Sequence, residues 1–169
     1  GDIVGLHDTG NFKIGDTLTE GEKMQYKGIP NFSPEHFRYI NNADPMKSKQ
    51  LEKGVQQLMD EGVAQLFTLS LNNRKVIGTV GALQYEVIQY RLEHEYGAKC
   101  TYEPINIHKA CWIEADEKDP DFEEFKRVKQ RYLAHDKSGK LVFLADSKFT
   151  LQMTEQKYTS VKFHSVSEF

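Results

Sequence analysis

Two spacings of apolar residues predict an α+β fold. Short apolar runs bounded by turn residues read as strands. Longer segments whose apolar residues recur every three or four positions read as helices. Between residues 36 and 104 the two patterns follow one another as strand, helix, strand, strand, helix, strand. Each change of pattern falls on a punctuation signal: a proline, an asparagine pair or a glycine.

Residues 37–41 form the first strand. Asp44-Pro45 pairs an N-cap residue with proline at the first helical position. Leu51, Val55, Leu58 and Met59 then recur at helical spacing, and Gly62 supplies a stop. Residues 64–69 and 76–80 are strands joined by an Asn72-Asn73 turn, which makes a hairpin. A second helix over 83–96 places Leu83, Val87, Ile88, Leu92 and Tyr96 on its buried face and ends at Gly97. Residues 99–104 form the next strand. This order is the split β-α-β-β-α-β, or ferredoxin-like, arrangement, with one antiparallel sheet and two helices on one face.

Residues 105–169 read as an α/β extension of that core. A strand over 108–114 holds the single tryptophan, Trp112. Asp119-Pro120 starts a helix with Phe122, Phe125, Val128 and Tyr132 on one stripe. A turn over 136–140, an apolar strand over 141–145, a helix capped by Ser147 and a strand over 161–164 complete it. No internal repeat and no low-complexity segment is visible. Residues 1–27 read as strand and turn pieces, too few to close a core alone. Residues 28–34 read as a linker, because Pro30 and Pro34 bias the preceding residues toward extended geometry.

The 169 residues suit one domain or one domain with a fragment attached. Hydrophobic residues are 38% and charged residues 28%, the balance of a soluble globular chain. No apolar run approaches the ~20 residues of a membrane span. The start lacks an initiator Met and a signal-peptide pattern and opens inside a strand-like run, so a piece of a longer chain is expected. The net charge of −3 argues against a domain that holds nucleic acid mainly by its own field. Two cysteines, Cys100 and Cys111, make no disulfide framework and point to a reducing cytoplasm. They read as small core thiols that could also be neighbours across the sheet.

Motifs for chemistry are missing from the sequence. There is no G-x-x-x-x-G-K-S/T phosphate loop, and Gly78-Thr79-Val80-Gly81 lacks the lysine and hydroxyl that would hold phosphate and magnesium. The six histidines make no zinc spacing with each other or with the cysteines. No G-x-S-x-G elbow is present. His108 and Cys111 fall on opposite faces of a strand. The acids of 114–124 suit a helix N-terminus. The strand over 76–80 has no aromatic ring for base stacking. The loop over 41–44 has neither the glycine nor the arginine of an acylphosphatase-type site. No catalytic, cofactor-binding or metal-ligating residue is therefore expected. Basic residues do cluster, with Arg74 and Lys75 at the hairpin and Lys126, Arg127, Lys129 and Arg131 along the third helix. These are the candidate contacts to a polyanion.

Several stretches, in order, resemble the peptide chain release factor 3 family of bacterial translational GTPases. Gly-Asp-Ile-Val-Gly-Leu near the start, followed by Ile-Gly-Asp-Thr-Leu, is similar to the end of the β-barrel domain of translation factors. Gly28-Ile29-Pro30-Asn31-Phe32-Ser33-Pro34-Glu35 resembles the exit from that barrel in this family. So do Lys49-Gln50-Leu51, Gly54, Leu58, Glu61-Gly62, Gln65 and Phe67. Residues 78–84, Arg91-Leu92, Glu95-Tyr96, residues 122–126 and residues 161–164 extend the likeness over nearly the whole chain.

The resemblance implies residues 1–27 as a remnant of barrel domain II and residues 28–169 as the C-terminal domain III. It implies a role in translation termination: GTP-dependent recycling of the stop-codon-reading release factor from the ribosome. The catalytic domain, with its GTP and magnesium, would lie upstream, so this fragment would not be an enzyme and would hold no cofactor. Its implied partners are ribosomal RNA and ribosomal proteins, the release factors functionally, and its own GTPase and barrel domains, with no membrane. The alternatives are the equivalent domain of an elongation factor G-like GTPase and a stand-alone ferredoxin-like enzyme.

Overall fold

The computed structural model describes residues 32–166. The expectations for residues 1–27 and for the start of the linker lie outside them. The elements run β1 (His36–Asn42), α1 (Ser48–Asp60), β2 (Gln65–Leu69), β3 (Lys75–Thr79), α2 (Leu83–Tyr96) and β4 (Cys100–Pro104). They continue as β5 (Lys109–Glu114), α3 (Pro120–Val128), β6 (Leu133–Asp136), β7 (Leu141–Ala145), α4 (Lys148–Lys157) and β8 (Lys162–His164).

The local signals act where the sequence puts them, with two shifts. The Asp44 side chain accepts from the Met46 N–H at 3.0 Å, but it starts a 3-10 turn over Pro45–Lys47, and α1 begins only at Ser48. Asp119 accepts from the Asp121 N–H at 3.0 Å and caps α3 directly. That helix stops at Val128, so Tyr132 lies in a separate 3-10 turn over Gln130–Tyr132 and Val128 is exposed. Gly97 takes the left-handed conformation, φ 65°, that ends α2.

All the described strands join one antiparallel eight-stranded sheet in the order β4-β1-β3-β2-β6-β7-β5-β8. Its centre is the pairing of β2 with β6, Phe67 opposite Asp136, Thr68 opposite His135 and Leu69 opposite Ala134. β6 has no counterpart in the sequence reading. Its four residues, Leu133-Ala134-His135-Asp136, follow a helical stripe and are too short to show a strand period. With β6 in place, the segment from β5 to β8 repeats the element order of the segment from β1 to β4. Its strand order is the mirror-ordered continuation of the first, as an approximate twofold relation between β2 and β6 requires. The reading that the chain holds no internal repeat is thus corrected. The register of burial shows the repeat although residue identity does not. Tyr85, Ile88 and Leu92 of α2 are buried, and so are Leu151, Thr154 and Tyr158, each 66 positions later, on α4 and its C-cap.

Alternation along the strands divides the interior into three cores. Ile40, Leu58, Ile77, Ile88 and Leu92 lie between the sheet and α1 with α2. Cys111, Phe125, Phe143, Leu151 and Tyr158 lie between the sheet and α3 with α4. The intervening strand residues, among them Phe37, Phe67, Val76, Trp112, Ala134 and Val142, form a third core to which no helix contributes. β2 and β5 are three places apart, about 14 Å across a flat sheet. Yet the Phe67 and Trp112 ring centroids are 5.8 Å apart and both side chains are wholly buried. The sheet curls so that its two helix-free halves close on each other. Ile105 and Ile107 from the β4–β5 connection pack against this joint, and the Trp112 indole donates to Asp136 Oδ2 at 2.9 Å.

Gly78 shows how closely backbone approaches here. A Cβ there would stand 2.9 Å from Pro34 Cβ and 3.0 Å from Phe67 Cε2. The chain entering at Phe32 is tied down beside it, with Glu35 N–H donating to the Thr79 carbonyl at 2.8 Å and Gln65 Nε2 to the Phe32 carbonyl at 2.5 Å.

Candidate functional site

The six candidate cations fall at two places. Arg74 and Lys75 end the β2–β3 turn, which Asn73 closes at φ 57° and Asn72 Oδ1 braces by accepting from the Arg74 N–H at 3.0 Å. Lys126 and Arg127 lie in the last turn of α3, Lys129 is its C-cap, and Arg131 is in the following 3-10 turn. The β2–β6 pairing brings the two places to one end of the strands, where Ser70 N–H donates to the Leu133 carbonyl at 3.0 Å.

The side chains are differently engaged. The Arg74 guanidinium lies 3.7 Å from the Tyr39 ring centroid and donates to Glu103 at 3.0 Å and to Asn41 Oδ1 at 3.2 Å. Lys75 Nζ donates to Thr68 Oγ1 at 2.8 Å. These two cations bind their own sheet. Lys126 pairs with Glu123 at 3.0 Å and sits 4.5 Å from the Phe122 ring centroid. Arg127 is exposed. Lys129 and Arg131 converge on one ring, 5.7 Å and 4.6 Å from the Tyr132 centroid, and Arg131 donates to the Tyr132 hydroxyl at 2.6 Å.

Tyr132 is fixed from behind. Its ring packs on Phe143 at 5.6 Å, and its hydroxyl donates to Asp146 Oδ2 at 3.4 Å. The neighbouring Thr150 side chain holds the Asp146 carboxyl below its ordinary range. Partial desolvation opposes that fall, and Tyr132 and Arg131 add to it. The result is an anchored aromatic ring with Lys129 and Arg131 against it and the exposed Arg127 in the last turn of α3 just before, suited to phosphate contact with stacking beside it. Sequence reasoning placed Tyr132 on an apolar stripe. The usable signal was the alternation of basic residues with an aromatic in Lys129-Gln130-Arg131-Tyr132.

The thiols are placed apart, Cys100 in the first helix-side core and Cys111 in the second, so they are not cross-sheet neighbours. Burial pushes the Cys111 thiol up to about 11 and raises Cys100 too. Among the described residues, no group of three or more His, Cys, Asp or Glu is placed to hold a metal ion, and no helix is long and apolar enough to cross a membrane.

A crystal structure of a protein from Thermus thermophilus is similar at 15% identity and a TM-score of 0.41, over 60% of this chain and 17% of that one. Residues 26–155 match the family model described as class II release factor RF3, C-terminal domain. That match takes in the strands from β1 to β7, helices α1 to α3 and most of α4, including the Tyr132 cluster. The chain therefore belongs to the family of class II release factor RF3, as its C-terminal domain.

Proposed function

We propose that this chain is the ribosome-facing, non-catalytic arm of a translation-termination GTPase. The observation that carries the reading is the family match over residues 26–155. In this reading the intact protein binds GTP and magnesium in a domain upstream of residue 1. It promotes GTP-dependent dissociation of the stop-codon-reading release factor from the ribosome in the cytoplasm. Residues 1–27 would be the end of the barrel domain and residues 28–169 the C-terminal domain. The antiparallel order β4-β1-β3-β2 supports a ferredoxin-like core at about 36–104.

The continuous sheet and its central aromatic joint suit a semi-rigid lever whose position differs between nucleotide states. Nucleotide can shift that position only through contacts that differ between the states. The ribosomal contact is assigned to Lys129 and Arg131 at Tyr132, with Arg127 and Lys126 in the preceding turn of α3. Arg74 and Lys75 belong to it less, because their charged groups are held within the sheet.

The test is charge reversal in the intact factor, Arg127→Glu with Lys129→Glu. Ribosome affinity should fall, and its dependence on salt should flatten by about 0.7–0.9 in log–log slope for each phosphate no longer neutralised. Affinity unchanged across the salt range would remove α3 and its following turn from the interface.

A further inference from the structure

We infer that the outer face of α2 is a docking surface for a cationic amphipathic helix of a protein partner. Leu83, Val87, Tyr90 and His94 follow one another at helical spacing and form one stripe. Leu83 is 69% exposed, Val87 44% and Tyr90 64%. The Tyr90 and His94 rings lie 4.1 Å apart, tilted by 35°, which extends the stripe along the helix. The side facing the core is a separate set, Tyr85, Ile88 and Leu92. α2 is thus apolar on two faces, and among the described residues only one of them is covered.

The flanks state what covers the other. Glu86 and Glu93 border one side. On the other side Arg91 pairs with both Glu61 and Glu95, at 2.5 Å and 3.0 Å, leaving that cluster one negative charge in excess. Lys99 lies 3.9 Å from Glu93 and offsets part of the first side. The stripe therefore lies in a net acidic surround, which repels phosphate and attracts lysine and arginine. An apolar stripe between carboxylates is complementary to a helix with apolar residues at matching spacing and basic flanks. Residues 1–31 do not fit, because they carry three lysines against five carboxylates.

The internal repeat supplies a matched comparison. Phe149 and Met153 stand on α4 where Leu83 and Val87 stand on α2, at 71% and 51% exposure. Lys148 and Lys157 flank them, but Lys157 pairs with Glu124 at 3.8 Å and Glu155 lies on the same helix, so those charges cancel. The two positions share architecture, and of the two only the α2 flanks are net acidic. A second copy seating its α4 on α2 would meet a surround without the net positive charge that complements the α2 flanks.

The experiment uses the 169-residue chain and two labelled synthetic helices of about 18 residues. Both present leucine at i, i+4, i+7 and i+11, one flanked by lysine and one by glutamate. Fluorescence anisotropy should show saturable binding of the lysine-flanked peptide only. Leu83→Ser with Tyr90→Ser should weaken it about tenfold or more, while Phe149→Ser with Met153→Ser leaves it unchanged. Glu86→Lys with Glu93→Lys should transfer preference to the glutamate-flanked peptide, a reversal that loss of folding cannot produce. Equal binding of both peptides, no binding, or insensitivity to the α2 substitutions overturns the inference. So does competition at this face by an RNA hairpin, or self-association in sedimentation that the α2 substitutions abolish. Ribosome affinity is not read, so failure here leaves the Tyr132 assignment standing, and the reverse holds as well.

Discussion

Replacing Gly54 with alanine sets two effects of known sign against each other. In the interior of α1, alanine is favoured over glycine by about 0.8–1 kcal/mol, so propensity alone predicts stabilisation. The structure predicts the opposite. A Cβ at Gly54 would stand 2.7 Å from Leu92 Cδ2 and 2.9 Å from both Cδ2 and Cγ of Tyr96. Leu92 is wholly buried, and the Tyr96 hydroxyl is bonded to Gln57, so neither side chain has a free path aside. α1 and α2 must separate, or both neighbours must leave their preferred rotamers. Overpacking of this kind costs about 1–3 kcal/mol. The balance is destabilisation of up to about 2 kcal/mol. Urea unfolding measures it. With a slope of about 1–3 kcal/mol per molar, the midpoint should fall by up to about 0.7–2 M. Adding Leu92→Val to the alanine variant should cost less than the two changes sum to separately, because the shortened side chain yields the space. A midpoint that rises by the full propensity gain would refute the close crossing of α1 and α2.

Two further outcomes follow from the packing and the charges. Phe67→Leu and Trp112→Phe in a double-mutant cycle should show a coupling of about 0.5–1.5 kcal/mol, since the rings meet across the curled sheet. Additivity within about 0.3 kcal/mol would mean that the two halves do not close on this pair. Asp146 has a folded-state pKa below its unfolded value, so its contribution to stability is complete above the unfolded value, near 3.9, and is lost as pH falls through the folded one. The unchanged protein should therefore lose more stability than Asp146→Asn between about pH 5 and pH 3. Parallel unfolding profiles of the two would rule out that contribution.

The sequence carried most of the element boundaries because helix caps and turns act over a few residues. Asp119 with Pro120, Ser147, Asn73 and Gly97 each satisfy or redirect backbone within one turn. α2 was predicted at its observed bounds, but its buried face was assigned wrongly. Leu83 and Val87 were placed in the core and are exposed, while Tyr85 is buried with its hydroxyl donating to the Ile77 carbonyl at 2.6 Å. Apolar residues on both sides of a helix cannot be ranked by period alone. The same limit applied to the candidate cations. Arg74 and Arg127 look alike in sequence, yet one guanidinium lies over Tyr39 beside Glu103 and the other side chain is exposed.

The alternation of strand and helix, the caps, the polar-to-apolar balance and the family resemblance were legible in the residues taken in order. The pairing of β2 with β6 was decided by tertiary structure, because four residues with little pattern of their own become a strand only when neighbours on both sides satisfy their backbone. That pairing turned an apparent extension into the second half of one sheet. It also let the helix-free faces close over Phe67 and Trp112, and it set the β2–β3 turn beside the segment that carries Tyr132. Each of these joins residues from opposite halves of the sheet, far apart along the chain, a separation over which short-range pattern carries no signal.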